Sequence, residues 1–566
     1  MKDKDTLDEI KTALEEWERK NVTSFQKERK SEFVTESGIP LKRFYTPLDL
    51  EEKGFNFLKD VGFPGEYPMT SGITSTMYRG KLWEPTQYSG RALPEESNKL
   101  WKLMVEAGTN TVYIAYDLPT QLGYDPDDPK VEGEVGRTGF SACSLRDWEI
   151  AFDGLDMSKL GLYQVLNAPY LFGLACHIAI AEQQGVSHEK LVGIGQNDIL
   201  KCYIARGLYV FPPRKGVRLV TDSFEYVASN LPLYYPITVS GVHISASGAT
   251  PVHEAIIMLA NAFTYLQAAV DRGVDIDTIG PHIMFIPCFD HYSFFEEIAK
   301  LRASRRVYSR IVRDRFNAKN PESWKARWYT PQEGSSLHKE QYLNNIARSA
   351  IFAMGAALAG SQIADTRAYD EHFGIPTEEA TIQGLRVQHI VARETGITEV
   401  VDPLAGSYFL ETLTSEVEER ILEGLDIAEK QGGAINCIEN GYFRRIIAED
   451  AYNHQRKLES GESERVGVNI FRSDKAEERP ARVYRTDPTV EQKRIAAVKE
   501  LKTKRDNKRV KRTLDEIRTL ARGEECSKNN LFPAVLEAVK SYATVGEICG
   551  VLREVWTEYR APSIFM

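Results

Sequence analysis

The stretch from residue 195 to residue 248 has the residue types and spacing best suited to chemistry. It contains Gln196 and Arg206, and then His243 at the end of the apolar run Pro-Ile-Thr-Val-Ser-Gly-Val-His (236–243). A histidine can hydrogen-bond a carbonyl or move a proton, and a guanidinium can hold a carboxylate through two parallel hydrogen bonds. Gln196 and His243 each follow a short apolar run, as expected where a buried parallel strand ends at a site. The stretch therefore predicts a binding site for a carbonyl and a carboxylate.

Each of these side chains also has a purely structural interpretation. His243 could be a core histidine paired with a backbone carbonyl, Arg206 an exposed arginine beside a loop, and Gln196 a buried amide satisfied by the backbone. Tyr88, in Gln87-Tyr88-Ser89-Gly90, could simply pack a turn. Residue type and spacing alone leave both interpretations open.

Short β-rich runs alternate with amphipathic helical runs from about residue 40 to residue 410, and these are the elements that must position the site. The predicted strands are 111–116, 163–167, 191–194, 237–240 and 283–287. The predicted helices are 95–107, 171–184, 251–271, 294–316 and 339–359. Repeated strand–helix units favour a parallel (β/α)₈ TIM barrel with its site at the carboxyl ends of the strands, and an open doubly wound sheet is the competing fold.

The pattern divides the chain into three predicted regions. They are an N-terminal helical extension (1–40), a substrate-binding barrel (41–410) and a C-terminal helical region with a linker at 480–488 (411–566). Residues 4–33 carry Leu7, Ile10, Leu14 and Trp17 at helical spacing, which predicts an amphipathic helix that docks on this chain or on a partner.

Composition restricts the class of protein. The 566 residues carry a net charge of −10, which argues against nucleic acid as the main partner. Seven cysteines, with no CxxC pair, indicate reduced thiols rather than a disulfide framework. The charged N-terminal residues do not resemble a signal peptide, and no apolar run approaches the roughly 20 residues of a membrane span. We predict a cytoplasmic α/β protein that binds neither nucleic acid nor membrane and holds no metal by itself.

Further motifs occur in an order and spacing that chance would rarely produce. They include Ser75-Thr76-Met77-Tyr78, Asp117-Leu118-Pro119-Thr120, Gly123-Tyr124-Asp125, Phe211-Pro212-Pro213, Asn317-Ala318-Lys319-Asn320-Pro321 and Asp402-Pro403. Together with residues 195–248, they closely resemble the adenosylcobalamin-dependent acyl-CoA mutases, the methylmalonyl-CoA mutase family, from about residue 40 to the C terminus. The resemblance implies a barrel enzyme that isomerises the carbon skeleton of an acyl-CoA by radical chemistry, with adenosylcobalamin as its cofactor.

The resemblance also assigns roles to residues of the site. It implies that His243 contacts the thioester carbonyl, that Gln196 contacts the substrate and that Tyr88 wedges between substrate and adenosyl group. Arg206 matches an arginine that binds a free carboxylate, where relatives acting on acyl groups without it carry glutamine, so a malonyl- or succinyl-type substrate is implied. Contacts to the adenosyl group or to coenzyme A, or support for this substrate subtype, are implied for Thr76, Met77, Lys81, Ala115, Tyr116 and Glu371.

Several positions depart from the family pattern. Val242 stands where the methylmalonyl-type enzymes have a second tyrosine, which widens the pocket and favours an alkyl-substituted substrate over methylmalonyl-CoA itself. The corrin-facing and ribose-facing positions that differ are Tyr329, Pro331, Ala246 and Arg367, and the coenzyme A positions that differ are His282, Met284 and Thr86. The alternatives are methylmalonyl-CoA mutase proper, a non-catalytic barrel paralogue acting as a scaffold, and a barrel hydrolase using Asp117 and Glu371.

One motif of the family's cobalamin domain is missing. The cobalt-ligating pattern is Asp-x-His-x-x-Gly, and the nearest match, 370–374, is one residue too short. The resemblance therefore implies a large subunit without a cobalamin-binding Rossmann-like domain, which works with a separate small cobalamin-binding subunit. We expect a homodimer of large subunits within that hetero-oligomer.

Overall fold

A computed structural model describes residues 4–473 and 487–561, and over these ranges the chain forms a mixed α/β fold with parallel sheets. Most of the predicted linker at 480–488 lies outside the described residues. None of the helices described is long and apolar enough to cross a membrane.

Ten short strands, all paired in parallel, are present in the described ranges. They are β1 (Glu84–Thr86), β2 (Tyr88–Ser89), β3 (Thr111–Ile114), β4 (Gly161–Val165), β5 (Gly193–Gln196), β6 (Tyr234–Tyr235), β7 (Ile237–Ser240), β8 (Ile283–Ile286), β9 (Tyr329–Pro331) and β10 (Ile363–Asp365). They pair in the orders β2-β3-β4-β5-β6, β7-β8 and β1-β10-β9. Only Gln87 separates β1 from β2, and only Pro236, which lacks an N–H for the ladder, separates β6 from β7. Parallel bridges from Phe285 to Trp328 and from Phe289 to Gln332 link the β8 region to the β9 region, and this arrangement is consistent with an α/β barrel.

Helices connect the strands and continue beyond them. They are α1 (Lys4–Phe25), α2 (Pro47–Glu52), α3 (Pro94–Glu106), α4 (Leu118–Leu122), α5 (Leu145–Ala151), α6 (Tyr170–Gln183), α7 (Ile199–Lys201), α8 (Pro213–Asn230), α9 (Val242–Ala246), α10 (Pro251–Asp271), α11 (Ile276–Ile279), α12 (Phe294–Asp314), α13 (Asn344–Leu358), α14 (Glu378–Glu394), α15 (Tyr408–Lys430), α16 (Gly433–Glu439), α17 (Tyr442–Ser460), α18 (Val490–Lys504), α19 (Asn507–Arg522), α20 (Phe532–Lys540) and α21 (Val545–Trp556). Local chemistry sets their starts: α10, for example, has Thr250 as its N-cap, with the hydroxyl accepting from the His253 N–H, and Pro251 in its first turn.

The buried apolar residues form two separate clusters. The larger cluster lies between strands and helices and runs from Ile39 to Trp556. The smaller one, which we call the interior cluster, consists mostly of side chains on the other face of the strands: Tyr113, Tyr163, Val165, Ile194, Val242, Met284, Ile286, Cys288, Tyr329 and Ile363. Alternate residues of a strand point to opposite faces, which accounts for the two clusters.

The observed strands match the sequence-based predictions best where the apolar runs are longest. The strand predicted at 237–240 is confirmed at both ends, and the strands predicted near 111, 163, 191 and 283 are present with shifted ends. The strands β1, β2, β6, β9 and β10 were not predicted, because two or three residues carry no readable alternation.

The N-terminal and C-terminal regions differ in how closely they pack against the rest of the chain. Helix α1 forms as predicted, but none of its residues is buried by the described chain. In contrast, α15 packs on α10 and α12, and α20 packs on α6, so the C-terminal helices share the larger cluster. The division at residues 40 and 410 stays a prediction.

Candidate functional site

Parallel strands of two sheets bring three of the predicted side chains to the carboxyl ends of the strands. Tyr88 lies in β2, Gln196 is the last residue of β5, and His243 lies in α9, directly after β7. Carboxyl ends of parallel strands lie along one edge, where sites of α/β folds are commonly built. The structure therefore brings Tyr88, Gln196 and His243 to the same end.

His243 is held by a hydrogen bond to its own strand. Its Nδ1 lies 2.6 Å from Oγ of the fully buried Ser240, whose backbone N–H donates to Asp198 Oδ2 at 2.7 Å. Since no other acceptor for the Ser240 hydroxyl exists in the described residues, that hydroxyl donates to Nδ1, and the ring proton of a neutral His243 lies on Nε2.

The charge state of His243 follows from its surroundings. Burial lowers its pKa well below the usual range, and the positive charges of Lys201, Arg206 and Arg367 lower it further. The imidazole is therefore neutral near pH 7, and its Nε2–H, which has no partner in the described chain, can donate to a carbonyl oxygen. The charge of Arg206 acts on the His243 ring, so these two predicted side chains lie close enough to influence each other.

Arg206 ends a five-residue π-helix, Cys202–Arg206, which Gly207 terminates in the left-handed region at φ +65°. Such π turns are rare and often occur at functional sites. Arg206 is half-buried and makes neither a hydrogen bond nor an ion pair with any described residue, yet its charge reaches Tyr88 and His243. A half-buried guanidinium without a carboxylate partner is available for a ligand carboxylate.

Lys201 is a site residue to which sequence reasoning gave no role. It is fully buried, and its Nζ donates to Gln196 Oε1 at 2.6 Å. Burial lowers its pKa to about 8, and the nearby Arg206 charge also lowers it. A lysine inside the apolar run Ile-Leu-Lys-Cys-Tyr-Ile is the signal that could have identified it, since buried lysines need a polar partner.

A second charged group lies near the ring of Tyr88. The Arg367 guanidinium lies 5.7 Å from the Tyr88 ring centroid, 3.2 Å from Asp365 Oδ2 and 3.7 Å from Glu371 Oε1. Burial raises the pKa of Asp365 to about 7, although Arg367 opposes the rise. Burial also raises the pKa of Tyr88, so its phenol is neutral. Glu371, 31% exposed at its side chain, remains able to accept hydrogen bonds from a ligand.

Two of the predicted contact residues are buried near the end of β3. Ala115 is 5% exposed, with its N–H donating to Ser89 O at 2.8 Å and its carbonyl accepting from the Phe140 N–H at 2.7 Å. Tyr116 is fully buried, packs on Phe140 and donates to Gln164 Oε1 at 3.3 Å. The described chain leaves Tyr116 no exposed surface for a ligand, so its contact role stays a prediction that this geometry does not support.

Three of the predicted contacts to the adenosyl group or coenzyme A come before β1, on the amino-terminal side of that strand. Thr76 and Lys81 are exposed, Met77 is buried, and all three precede β1 in the chain. His282 precedes β8 in the same way. The structure therefore does not bring this group together with Arg206 and His243.

Three phenol rings occupy the interior between the two ends, and we call Tyr113, Tyr163 and Tyr329 the tyrosine crossbar. The Tyr113 and Tyr163 rings are stacked, with centroids 4.4 Å apart and planes 9° apart. The Tyr329 ring meets both edge-on, at 5.2 Å from Tyr113 and 4.8 Å from Tyr163. These are favourable geometries for aromatic pairs.

A cavity of about 1470 Å³ adjoins the helix that carries His243. Its lining includes Ser245 and Ala246 of α9 and also Glu333, whose carboxylate interacts electrostatically with Arg367. The cavity is large enough for a small-molecule ligand.

Two alternative uses of site residues lose support. Asp117 caps α4: its Oδ1 accepts from the Thr120 N–H at 3.0 Å and its Oδ2 from the Gly136 N–H at 2.8 Å, which disfavours a hydrolytic pair with Glu371. His372 Nε2 lies 2.8 Å from the carbonyl of Gly334, so this ring nitrogen donates within the chain and is not free to ligate cobalt.

Comparison with known proteins finds relatives along most of the chain. The family model for methylmalonyl-CoA mutase matches residues 34–558. The 2-hydroxyisobutanoyl-CoA mutase large subunit of Aquincola tertiaricarbonis is 38% identical over 560 residues, covering 98% of this chain and 98% of the relative. Methylmalonyl-CoA mutases of Rhizobium meliloti and Homo sapiens are 36% and 34% identical over 93% of this chain, and the matches cover 73% and 69% of those proteins.

The fold is that of an α/β protein with parallel strands, and the candidate site lies at the carboxyl ends of those strands. The chain belongs to the methylmalonyl-CoA mutase family, as its motifs indicated. The relatives named above are all mutases, which are isomerases.

Proposed function

We propose that this chain is the catalytic subunit of a mutase that isomerises the carbon skeleton of a carboxylated acyl-CoA. The observation that carries the proposal is that a guanidinium with no partner among the described residues, Arg206, lies near a neutral imidazole, His243, at one end of the strands. An ester-like carbonyl and a carboxylate in one molecule match this pair. Val242, buried in the interior cluster beside His243, supports an alkyl-substituted malonyl- or succinyl-type substrate.

We infer that the strands close into a (β/α)₈ ring. If β1 with β2 and β6 with β7 each count as one strand, the ladders and bridges run β1/β2, β3, β4, β5, β6/β7, β8, β9, β10 and back to β1. All of these pairings are parallel, and a closed ring of eight parallel strands leaves no exposed edge.

The site residues divide the work of such a reaction. His243 donates its Nε2–H to the thioester oxygen, Arg206 anchors the far carboxylate, and Lys201 fixes the side chain of Gln196 beside them. The partly buried phenol of Tyr88 covers the substrate and excludes water, which protects reactive intermediates. These roles require positioning and fixed charges, and no proton has to leave the substrate.

The residues at the carboxyl ends also fit adenosylcobalamin. The partly exposed carboxylate of Glu371 can accept from sugar hydroxyls, and the cavity beside Ala246 offers space for an adenosyl group. When bound, this cofactor would supply the radical that removes hydrogen from the acyl group. Ala115 remains a candidate contact, whereas the positions of Thr76, Met77, Lys81 and Tyr116 do not support their predicted contacts with this cofactor.

A small cobalamin-binding chain is the proposed partner. The relative from Aquincola tertiaricarbonis is called a large subunit, and this chain matches 98% of its length. We propose the same division here, with two large subunits in the assembly and a cytoplasmic location.

The test of this function is an assay with a purified small cobalamin-binding chain and adenosylcobalamin. We expect isomerisation of a dicarboxylic acyl-CoA, and we expect Arg206→Gln to lose about 2–5 kcal/mol of transition-state binding for that substrate, because a desolvated carboxylate loses its charge partner. A monocarboxylic acyl-CoA is the control, because its kcat/KM should change little.

The other outcomes distinguish the alternatives. Highest turnover with methylmalonyl-CoA would assign the chain to methylmalonyl-CoA mutase proper. No turnover of any thioester, with the small chain bound, would indicate a scaffold. If Arg206→Gln lowered kcat/KM equally for dicarboxylic and monocarboxylic acyl-CoA, Arg206 would not be the anchor of the carboxylate.

A further inference from the structure

We propose that the tyrosine crossbar keeps the coenzyme A arm out of the interior of the strand ring, so that this chain holds its substrate by the acyl end alone. The inference rests on the proposed function and makes Tyr113, Tyr163 and Tyr329 specificity-determining residues. It also places Thr76, Met77 and Lys81, which the resemblance makes contacts to the adenosyl group or to coenzyme A, outside the site that holds the acyl end.

The crossbar spans the full width of the ring. Tyr163 lies in β4 and Tyr329 in β9, which are opposite each other when the strands are taken in their pairing order. Their ring centroids are nevertheless only 4.8 Å apart. Side chains of opposite strands can approach this closely only across the centre, so the centre is filled.

Hydrogen bonds hold the crossbar closed from both sides. The Tyr163 hydroxyl lies 2.7 Å from Thr238 Oγ1 of β7 and accepts from Gln196 Nε2 at 3.4 Å. The Tyr329 hydroxyl donates to Asp365 Oδ2 at 3.3 Å, and Arg367 holds that carboxylate in turn. Opening the axis would break these bonds and unstack the Tyr113 ring, so the closed arrangement is the stable one.

The crossbar separates two groups of residues that a single acyl-CoA would otherwise join. His243, Arg206 and Gln196 lie at the carboxyl ends, whereas Lys81 and His282 precede their strands at the amino ends. A molecule that touches both groups has to pass along the axis, where the three rings now lie. The coenzyme A arm therefore cannot contribute binding energy by lying along the axis of the strand ring.

The test compares a full acyl-CoA with the same acyl group on N-acetylcysteamine, and it titrates free coenzyme A into the chain by calorimetry. For the wild-type chain we expect kcat/KM values of the two thioesters within about threefold, and a Kd for free coenzyme A above about 1 mM, because the arm adds no contacts. In the Tyr113→Ser, Tyr163→Ser double variant we expect free coenzyme A to bind at least about tenfold more tightly. Tyr113→Phe keeps the ring and is the matched control, with a Kd for coenzyme A equal to that of the wild type.

The inference is overturned if the wild-type chain binds free coenzyme A with a Kd below about 10 μM, or prefers the full acyl-CoA by more than about a hundredfold. Both results come from the wild-type chain, so they decide the matter even if the double serine variant does not fold. The calorimetric measurement does not depend on turnover. If neither thioester is turned over, the proposed function fails, and the Kd for free coenzyme A still tests this inference by itself.

Discussion

The hydrogen bond between Ser240 and His243 determines which nitrogen of the His243 ring carries the proton. We expect Ser240→Ala to lower kcat about tenfold with little change in KM, since one hydrogen bond of about 1.4 kcal/mol then no longer orients the ring. The ¹⁵N shifts of His243, assigned with a His243→Gln variant, should show the Nε2–H tautomer in the wild type and a mixture in Ser240→Ala.

Ser240→Thr is the matched control, because it restores a hydroxyl at the same position. It should recover the tautomer and most of kcat. An Nδ1–H tautomer in the wild type, or a Ser240→Ala enzyme with unchanged kcat, would show that the serine does not position the ring.

Lys201 makes stability depend on pH. Its pKa is about 8 in the folded chain against 10.5 ordinarily, so between these values the unfolded chain binds more protons, and stability rises with pH. From about pH 7.5 to about pH 9.5, we expect the wild type to gain about 2 kcal/mol of unfolding free energy relative to Lys201→Met, measured by urea denaturation. Lys499→Met, at an exposed position of α18, should keep the wild-type slope. If the unfolding free energies of the wild type and Lys201→Met changed equally with pH, the lowered pKa of Lys201 would be contradicted.

At the scale of elements, a buried arginine joins α12 to the segment that leads into the C-terminal helices. Arg302 is 1% exposed, donates to Glu411 Oε1 at 2.7 Å and also bonds Asp402. We expect Arg302→Ala to cost about 3–5 kcal/mol of unfolding free energy, because two buried carboxylates lose their counter-charge.

Arg315→Ala is the control for that experiment. It removes an exposed ion pair, 3.1 Å long, between the end of α12 and Glu429 of α15, and should cost less than about 1 kcal/mol. Urea denaturation measures both costs. If the two variants shifted the urea midpoint equally at constant slope, burial of the Arg302 ion pairs would add nothing to the free energy of unfolding.

The sequence could predict elements only where its pattern is decisive. Long amphipathic helices such as α10 and α12 were found almost residue for residue, and so was β7. The strands β9 and β10 have three residues each, and their identity depends on pairing partners far away in the chain. The π-helix that ends at Arg206 was not predicted, since the five residues that form it would equally suit an ordinary helix.

Local sequence patterns also limit how much of the site could be predicted. His243, Arg206 and Gln196 belong to motifs that identify the family, so their grouping was foreseeable. The tyrosine crossbar was not, because every residue of β3 and β4 is buried and alternation cannot then tell the inner face from the outer. Contact between Tyr163 and Tyr329 depends on ring closure, which no local pattern encodes.

At the scale of the whole molecule, the larger apolar cluster extends from Ile39 to Trp556 without a break between the predicted regions. A shared core of this kind should unfold as one unit. The shared packing also means that helices of the strand–helix units depend on segments from the far end of the chain.

Helix α6 shows what this means during synthesis. It is apolar on nearly every side, with all residues from Tyr170 to Ala181 buried, and α20 is one of the helices that cover it. Because α20 (Phe532–Lys540) lies far later in the chain than α6 (Tyr170–Gln183), the nascent protein exposes the apolar surface of α6 until α20 has been synthesised. We expect its yield in the cell to depend on chaperones that shield α6 until α20 emerges from the ribosome.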